Sequence, residues 1–271
     1  MDIKQSLELL DSLYTQGDLE QAENYLDQWL TEALEMRNYP AALTYFNEME
    51  GLLRTTGRAE DAADVGEQAL ELIGMMGLNE TIHHATTLQN VATANRVAGN
   101  IDKAQDMYIR AAEIYRYLGY SESYQMASLY HNLSHIQQEK NQHKTALLYL
   151  ESALDIVSRQ PDSEPEVATT NICMALSYMA MEDMDKADAK LKEALQYYES
   201  DEGIQDGHYG SALSAVGEFY WHKDDLETAL SYFEKALKFT FDRFGDNQGC
   251  EVIRENIETI KKEMNDCNED N

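Results

Sequence analysis

The chain has 271 residues, of which 43% are hydrophobic, enough to bury one or two ordinary cores or to form one elongated array. Its 50 acidic and 21 basic residues give a formal net charge of -29. Phosphate backbones and anionic membrane surfaces would be repelled by this charge, so the composition argues against nucleic acid and membranes as main partners.

The cysteines and the N-terminal segment favour a cytoplasmic protein. Cys173, Cys250 and Cys267 are odd in number and widely spread, without the close spacing that zinc or redox chemistry needs, so reduced thiols are expected. Charged residues interrupt the leucines of "MDIKQSLELLDSLY", which therefore lacks the apolar core of a signal peptide, and no later run is long enough to span a bilayer.

The residue pattern predicts an all-helical chain. Good helix formers dominate, only three prolines occur, and the alternating apolar pattern of strands is absent. One alanine recurs every 40 to 42 residues, at Ala22, Ala62, Ala104, Ala146, Ala187 and Ala229. We therefore expect six helical hairpins, at about residues 3–38, 43–76, 85–118, 127–160, 168–200 and 210–244.

Each predicted hairpin has its own turn signals. Residues suited to the left-handed conformation stand five before the recurring alanine at Gly17, Gly57, Gly99 and Asn141. Candidate N-caps of the second helix follow at Asp18, Asn100, Asp183 and Asp225. Glu182 and Asp224 occupy the glycine position in the last two units, so those turns should be less ideal.

After the sixth hairpin, "CEVIRENIETIKKEMN" is predicted to form an amphipathic capping helix over residues 249–265. Its apolar positions would cover the last exposed face of the array, and they are Val252, Ile253, Ile257, Ile260 and Met264.

The third unit, "ATTLQNVATANRVAGNIDKAQDMYIRAAEIY", and the sixth, "GSALSAVGEFYWHKDDLETALSYFEKALKF", resemble the tetratricopeptide repeat (TPR) family. The period near 42 is similar to that of kinesin light chains and many bacterial relatives. The resemblance covers about residues 3–244, and it implies a right-handed α-solenoid in one continuous domain over residues 1–271. Glu50 and Gly66 depart from the pattern, because the family usually has a small and a large residue there.

The resemblance also implies where a ligand would bind. In TPR arrays the first helix of each pair lines a concave groove, and the mapped groove is neutral although the chain is strongly acidic. The residues predicted to contact a partner are Asn47, Arg54, Gln89, Arg96, His131, His135, Gln138, Ile172, Leu176, Met179, Glu218, Trp221 and His222. The best candidate pocket is the apolar fifth unit with its flanking side chains. In the alternative interpretation, Leu176 and Met179 simply pack between adjacent helices.

Metal, cofactor and catalytic chemistry are not expected. His131, His135 and Glu139 are spaced by four and share one helix face, and two such histidines could chelate zinc or nickel. Neutral, hydrogen-bonding groove histidines are the preferred interpretation. Phosphate-binding glycine loops, HExxH and nucleophile elbows are missing from the sequence, so we expect no enzymatic activity.

Three functional hypotheses follow. The leading hypothesis is a module that binds a peptide segment of a partner protein in the groove. The second is an intracellular receptor for a small signalling peptide, resembling bacterial TPR receptors, which would act through a separate effector. The third is a scaffold that self-associates into a homo-oligomer through its end units. The carboxylate-clamp variety of the family is a poorer match, because its lysines are missing from the mapped positions.

Overall fold

The computed structural model describes residues 3–269, with side chains described for residues 3–266. In that part of the chain all regular structure is helical, with thirteen α-helices and one short 3-10 helix at Gly203–Gln205. The α-helices are α1 (Ile3–Gln16), α2 (Leu19–Glu35), α3 (Tyr39–Thr55), α4 (Ala59–Met75), α5 (Ile82–Val97), α6 (Ile101–Tyr117), α7 (Tyr124–Glu139), α8 (His143–Val157), α9 (Glu164–Ala180), α10 (Met184–Tyr198), α11 (Tyr209–His222), α12 (Leu226–Phe244) and α13 (Gln248–Glu269). The predicted series of six hairpins and a capping helix is confirmed.

The contacts divide the chain into two compact units, Met1–Ile136 and Gln137–Asn271, with the boundary inside α7. In the first unit, α3 packs on α4 and α5 on α6, and α4 also packs on α5. In the second unit, α9 packs on α10, α11 on α12, and α13 on α12. The expectation of one continuous domain over residues 1–271 stays a prediction.

The recurring alanines lie where the two helices of a hairpin cross. All six are fully buried, at 0% exposure, as small residues at a close helix crossing must be. Larger side chains fill the space beside them, and Tyr108, Leu150 and Phe233 are almost inaccessible to solvent. The alanine register therefore places the apolar core along the interior of each unit.

In one hairpin, the small and the large residue of two core positions are exchanged. In the α11–α12 hairpin a small residue, Gly217, packs against a large one, Phe233. The two are so close that a Cβ on Gly217 would lie 3.0 Å from the Phe233 ring. In α3 and α4 the corresponding residues are Glu50 and Gly66, and both are buried. A Cβ on Gly66 would lie 2.6 Å from Val91 Cγ2, so the neighbouring helix α5 occupies the space that a large side chain fills elsewhere.

The turns follow the predicted pattern, with one departure at a cap. Positive φ angles occur at Gly17, Gly57, Gly99 and Asn141, and also at the non-glycine residues Glu182 (60°) and Asp224 (58°). The side chains of Asp18, Asp183 and Asp225 accept N-cap hydrogen bonds. Asn100 also stands at the N-cap position of α6, but its side chain makes no capping hydrogen bond and its amide instead donates to Asn95 Oδ1 at 3.3 Å.

The capping helix α13 covers the end of the second unit. Ile253, Ile257 and Ile260 are buried against α11 and α12, and Met264 packs beside them. Val252 was expected on the same face but is 52% exposed, because it lies one residue, and so about 100° of helix rotation, before Ile253.

The remaining expectations concern thiols and membranes. Cys173 and Cys250 are buried free thiols, whereas Cys267 lies outside the residues with described side chains. Across residues 3–269, the helices lack the combination of length and apolar character that crossing a bilayer requires.

Candidate functional site

Within each of α3, α5, α7, α9 and α11, the residues predicted to contact a partner are spaced so that they share one side of the helix, which we call the first-helix face. Eleven of the thirteen are half-buried or exposed, as side chains on a binding surface should be.

Ile172 and Met179 are the two exceptions, and their prediction as partner-binding residues is corrected. Ile172 is 5% exposed and Met179 is 0% exposed, and both pack in a core formed with α10 and α11. Leu176 packs against the same core but keeps some exposed surface. The apolar fifth unit is thus packing between helices, and the pocket expected there is not formed by these side chains.

In the first unit, the face is polar and its side chains are tied together by hydrogen bonds. Gln89 Nε2 donates to Ser128 Oγ at 3.1 Å, which links α5 to α7. The hydroxyls of Thr93 and Tyr108 share a hydrogen bond of 2.8 Å. Asn47 is half-buried on α3. These bonds hold the face in one arrangement before any ligand binds.

A buried acid, Glu50, lies beside Arg54 in this unit. Glu50 is 4% exposed, and its Oε1 accepts no hydrogen bond although Arg54 Nε is 3.6 Å away. Burial raises the pKa of the Glu50 carboxyl to about 7, and the nearby Arg54 charge only partly opposes this. Burial also raises the pKa of Tyr108, against the opposing effects of Thr93 and of Arg96.

The two histidines of α7 lie in contact with each other. The rings of His131 and His135 meet edge to face with centroids 4.8 Å apart, and both side chains are half-buried. Glu139 is exposed one turn further along the helix. The preference for hydrogen-bonding histidines over a metal site stays a prediction.

Gln138 lies in the second unit, which begins at Gln137, and it joins the end of α7 to α9. Its Nε2 donates to the Cys173 carbonyl at 3.0 Å and to Ser177 Oγ at 2.8 Å. Both acceptors lie on the buried side of α9. The Gln138 amide therefore has a structural role in joining the two helices, although part of its side chain is exposed.

A cavity of about 580 Å³ lies on the first-helix face at the end of the second unit. It is lined by Glu218, Trp221, His222, Asp224, Phe233 and Asn256. Three of these residues, Glu218, Trp221 and His222, were predicted from the sequence. The volume falls within the range of about 300 to 1,000 Å³ typical of ligand sites.

The walls of the cavity are fixed by contacts with α12 and α13. Trp221 Nε1 donates to Glu263 Oε2 at 2.8 Å, and the indole meets the Phe233 ring edge to face with centroids 6.3 Å apart. Burial raises the pKa of Glu218, and the charge of His222 opposes the shift. The cavity thus combines an aromatic surface, held in place by these contacts, with two acids, Glu218 and Asp224, and one histidine.

Sequence reasoning missed three wall residues, namely Asp224, Phe233 and Asn256. Asp224 was assigned to the turn. Asn256 lies on the capping helix, which the family pattern does not include. The polar side of that helix is the sequence signal that could have indicated a further wall of the cavity.

Comparison with known proteins identifies the fold family. Two segments, residues 83–159 and 166–240, match the family model of the tetratricopeptide repeat, and together they make up more than half of the chain. The chain belongs to the tetratricopeptide repeat family. No curated protein matches this TPR chain significantly.

Solved structures with the same TPR architecture include three at low sequence identity. BtubC (BKLC) from P. vanneervenii is 21% identical, with a TM-score of 0.67 over 84% of this chain and 93% of that one. A kinesin light chain protein with TPR-like repeats from Podosopora anserina is 16% identical, with a TM-score of 0.61 over 75% and 97%. NprR in complex with its cognate peptide NprX is 18% identical, with a TM-score of 0.67 over 94% and 76%. These likenesses concern the fold.

Proposed function

We propose that this TPR chain is a non-enzymatic binding module that holds a peptide segment of a partner protein on its first-helix face. The observation that carries the proposal is the cavity beside Trp221, which lies on the face predicted to bind and is large enough for one or two side chains. Trp221 provides a rigid aromatic surface, the type of residue that dominates binding energy at interfaces.

The electrostatics of the face support a peptide as ligand. The predicted contact residues include two arginines and one glutamate, in a chain whose net charge is -29. A peptide can therefore approach this face without the repulsion that the acidic remainder of the surface would exert. We place this activity in the cytoplasm, in accordance with the reduced thiols and the sequence features described above.

One structural neighbour favours a second candidate, a receptor for a short signalling peptide. NprR has the same TPR architecture and was solved with its cognate peptide bound. The two candidates differ in the length of the ligand: a receptor would bind a free short peptide fully, whereas an interaction module would need a segment within a folded partner.

A display library of random peptides, selected on the full chain, tests the proposal. We expect peptides with an apolar or aromatic residue to be enriched, and Trp221→Ala to weaken their affinity at least tenfold. Phe241→Ala is the matched control, because it removes a 50% exposed aromatic ring from α12. Asn256→Arg narrows the cavity from α13 and gives a second blocking variant that leaves Trp221 packed.

Each outcome distinguishes the hypotheses. Enriched peptides that bind Trp221→Ala and Asn256→Arg as tightly as the unmodified chain would place the ligand elsewhere and refute the cavity. Failure of any peptide to be enriched would refute the peptide-binding function itself. Light scattering at high concentration separately tests the scaffold hypothesis, since a strict monomer contradicts self-association.

A further inference from the structure

The cavity at the end of the second unit has walls that are chemically suited to a positively charged group. Glu218 and Asp224 line it, and both side chains can carry negative charge. Asn256 adds an amide from α13, whose carbonyl oxygen accepts hydrogen bonds. Among the described wall residues, His222 is the one that can become positively charged, and its side chain is exposed to solvent. The charged groups of the wall are therefore mainly acidic.

Glu218 is the acid that the cavity shields more strongly from water. Its side chain is half-buried on α11, whereas Asp224 is exposed. Burial raises the pKa of the Glu218 carboxyl, and the charge of His222 only partly opposes this shift. An ionised carboxylate that has lost part of its hydration is stabilised by a cation placed beside it. A positively charged ligand group would therefore gain more from Glu218 than from a fully hydrated surface acid.

The lysines that flank the cavity in the sequence are engaged elsewhere. Lys223 lies over the Phe219 ring, with Nζ 5.2 Å from the ring centroid. Lys261 of α13 pairs with Glu234 at 3.4 Å. Among the described side chains, no lysine or arginine contributes to the pKa shift of Glu218. The strong positive partner that this carboxyl can accept is thus left for a ligand to supply.

Trp221 adds an aromatic surface that suits the same ligand. Its single hydrogen-bond donor, the indole N–H, is already bound to Glu263 Oε2 at 2.8 Å. The ring is also held by its edge-to-face contact with Phe233. What the indole still offers to a ligand is its π surface, whose faces carry a partial negative charge. Tryptophan is the side chain whose ring attracts lysine and arginine most strongly.

We propose that this cavity is a subsite for a positively charged side chain, lysine or arginine, of the bound peptide. The proposal rests on the proposed function in taking a peptide as the ligand, and it adds a basic residue to the apolar or aromatic residue expected in selected peptides. The cation lies against Trp221 and pairs with Glu218, while its hydrocarbon stem covers the apolar part of the wall. The net charge of -29 also draws cations towards the chain.

NMR signals of the two indole N–H groups test the subsite without any peptide. Trp221 reports on the cavity, and Trp29, which is 3% exposed in the first unit, is the internal control. The probes are N-acetylarginine methylamide and N-acetyllysine methylamide, which are cations, and N-acetylcitrulline methylamide, which is close to arginine in shape but neutral. We expect both cations to shift the Trp221 signal saturably, with at least tenfold higher affinity than the citrulline derivative. The Trp29 signal should stay in place.

Two results of this titration would overturn the subsite. Equal affinity for the arginine and citrulline derivatives would show that charge plays no part in binding. Tighter binding of N-acetylleucine methylamide than of either cation would assign the cavity to an apolar side chain. Saturation with the cations alone supports the subsite, and the tighter of the two identifies the basic residue that the cavity prefers.

A variant of the buried acid tests the role of its charge. Glu218→Gln keeps the shape of the side chain but removes the carboxylate, and it should weaken both cations at least fivefold. Glu258→Gln is the matched control, because it neutralises an exposed carboxylate on α13 that lies about 200° of helix rotation from Asn256. The control should leave the affinities unchanged, and melting curves confirm that each variant is folded. Unchanged affinity in Glu218→Gln would refute the pairing with Glu218.

Peptides from the display library separate the subsite from the proposed function. Replacing the basic residue of a selected peptide by citrulline should weaken its binding to the unmodified chain at least tenfold, and its binding to Glu218→Gln much less. If selected peptides lack a basic residue, or bind Glu218→Gln as tightly as the unmodified chain, the subsite is refuted while peptide binding stands. If no peptide is selected but the cations saturate at Trp221, the cation subsite is supported and the proposed function fails.

Discussion

The buried carboxyl of Glu50 makes the stability of the first unit depend on pH in a calculable way. The folded chain raises the pKa of this carboxyl from 4.5 to about 7, mainly through burial. The folded state therefore holds the proton more tightly than the unfolded state. As the pH rises from 4.5 to about 7, the wild-type chain loses stability, and the full cost is present at higher pH.

The magnitude follows from the same two values. A tenfold change in proton affinity corresponds to about 1.4 kcal/mol, so the penalty amounts to about 3 kcal/mol at pH 8 and about 1 kcal/mol at pH 5. Glu50→Gln resembles the protonated carboxyl in shape and removes the ionisation. We expect the variant to exceed the wild type in free energy of unfolding by these amounts, with the gain increasing as the pH rises.

Urea-induced unfolding at a series of pH values measures this gain. Glu71→Gln is the matched control, because it neutralises an exposed carboxylate on α4 of the same hairpin, and its effect should stay within about 0.5 kcal/mol throughout. Carboxyl-carbon NMR of Glu50 gives its pKa directly. A midpoint below pH 5, or a gain from Glu50→Gln that does not change between pH 5 and pH 8, would refute the reasoning.

Two further predictions concern the turns and the capping helix. Glu182→Gly and Asp224→Gly should each raise the free energy of unfolding by about 1 kcal/mol, because both residues have positive φ, and a loss of stability in either variant would contradict this. Ile260→Ala should cost about 2 to 5 kcal/mol because the side chain is fully buried, whereas Val252→Ala should have little effect on the unfolding curve. Equal losses in these two variants would contradict the orientation of α13.

The hairpins could be predicted because their signals are local and repeated. The alanine register and the left-handed turn residues depend only on the contact between two adjacent helices. The pattern that specifies this contact occurs six times in the sequence. Even Glu182 and Asp224 take the left-handed conformation, so the packing of the flanking helices overrides their weaker preference for it.

The candidate site could be predicted only in part, because it depends on which way each helix is rotated. Most residues of α9 from Ile172 onward are apolar, so the pattern does not distinguish the buried side from the exposed one there, and Ile172 and Met179 were assigned to the wrong side. The cavity beside Trp221 also requires α13, whose position against α11 and α12 follows from tertiary packing. The burial of Glu50 likewise depends on the space left by Gly66.

Relative to the α11–α12 hairpin, Glu50 and Gly66 place the large residue where the small one stands and the small residue where the large one stands. This difference affects which helices can pair during folding. A chain built from near-equivalent hairpins can pair a helix with the wrong neighbour during folding, and repeat proteins misfold in this way. If α3 docked in place of α11, its glutamate would meet the Phe233 ring where Gly217 now fits. The internal shape of the α3–α4 hairpin therefore disfavours the exchange of α3 for α11.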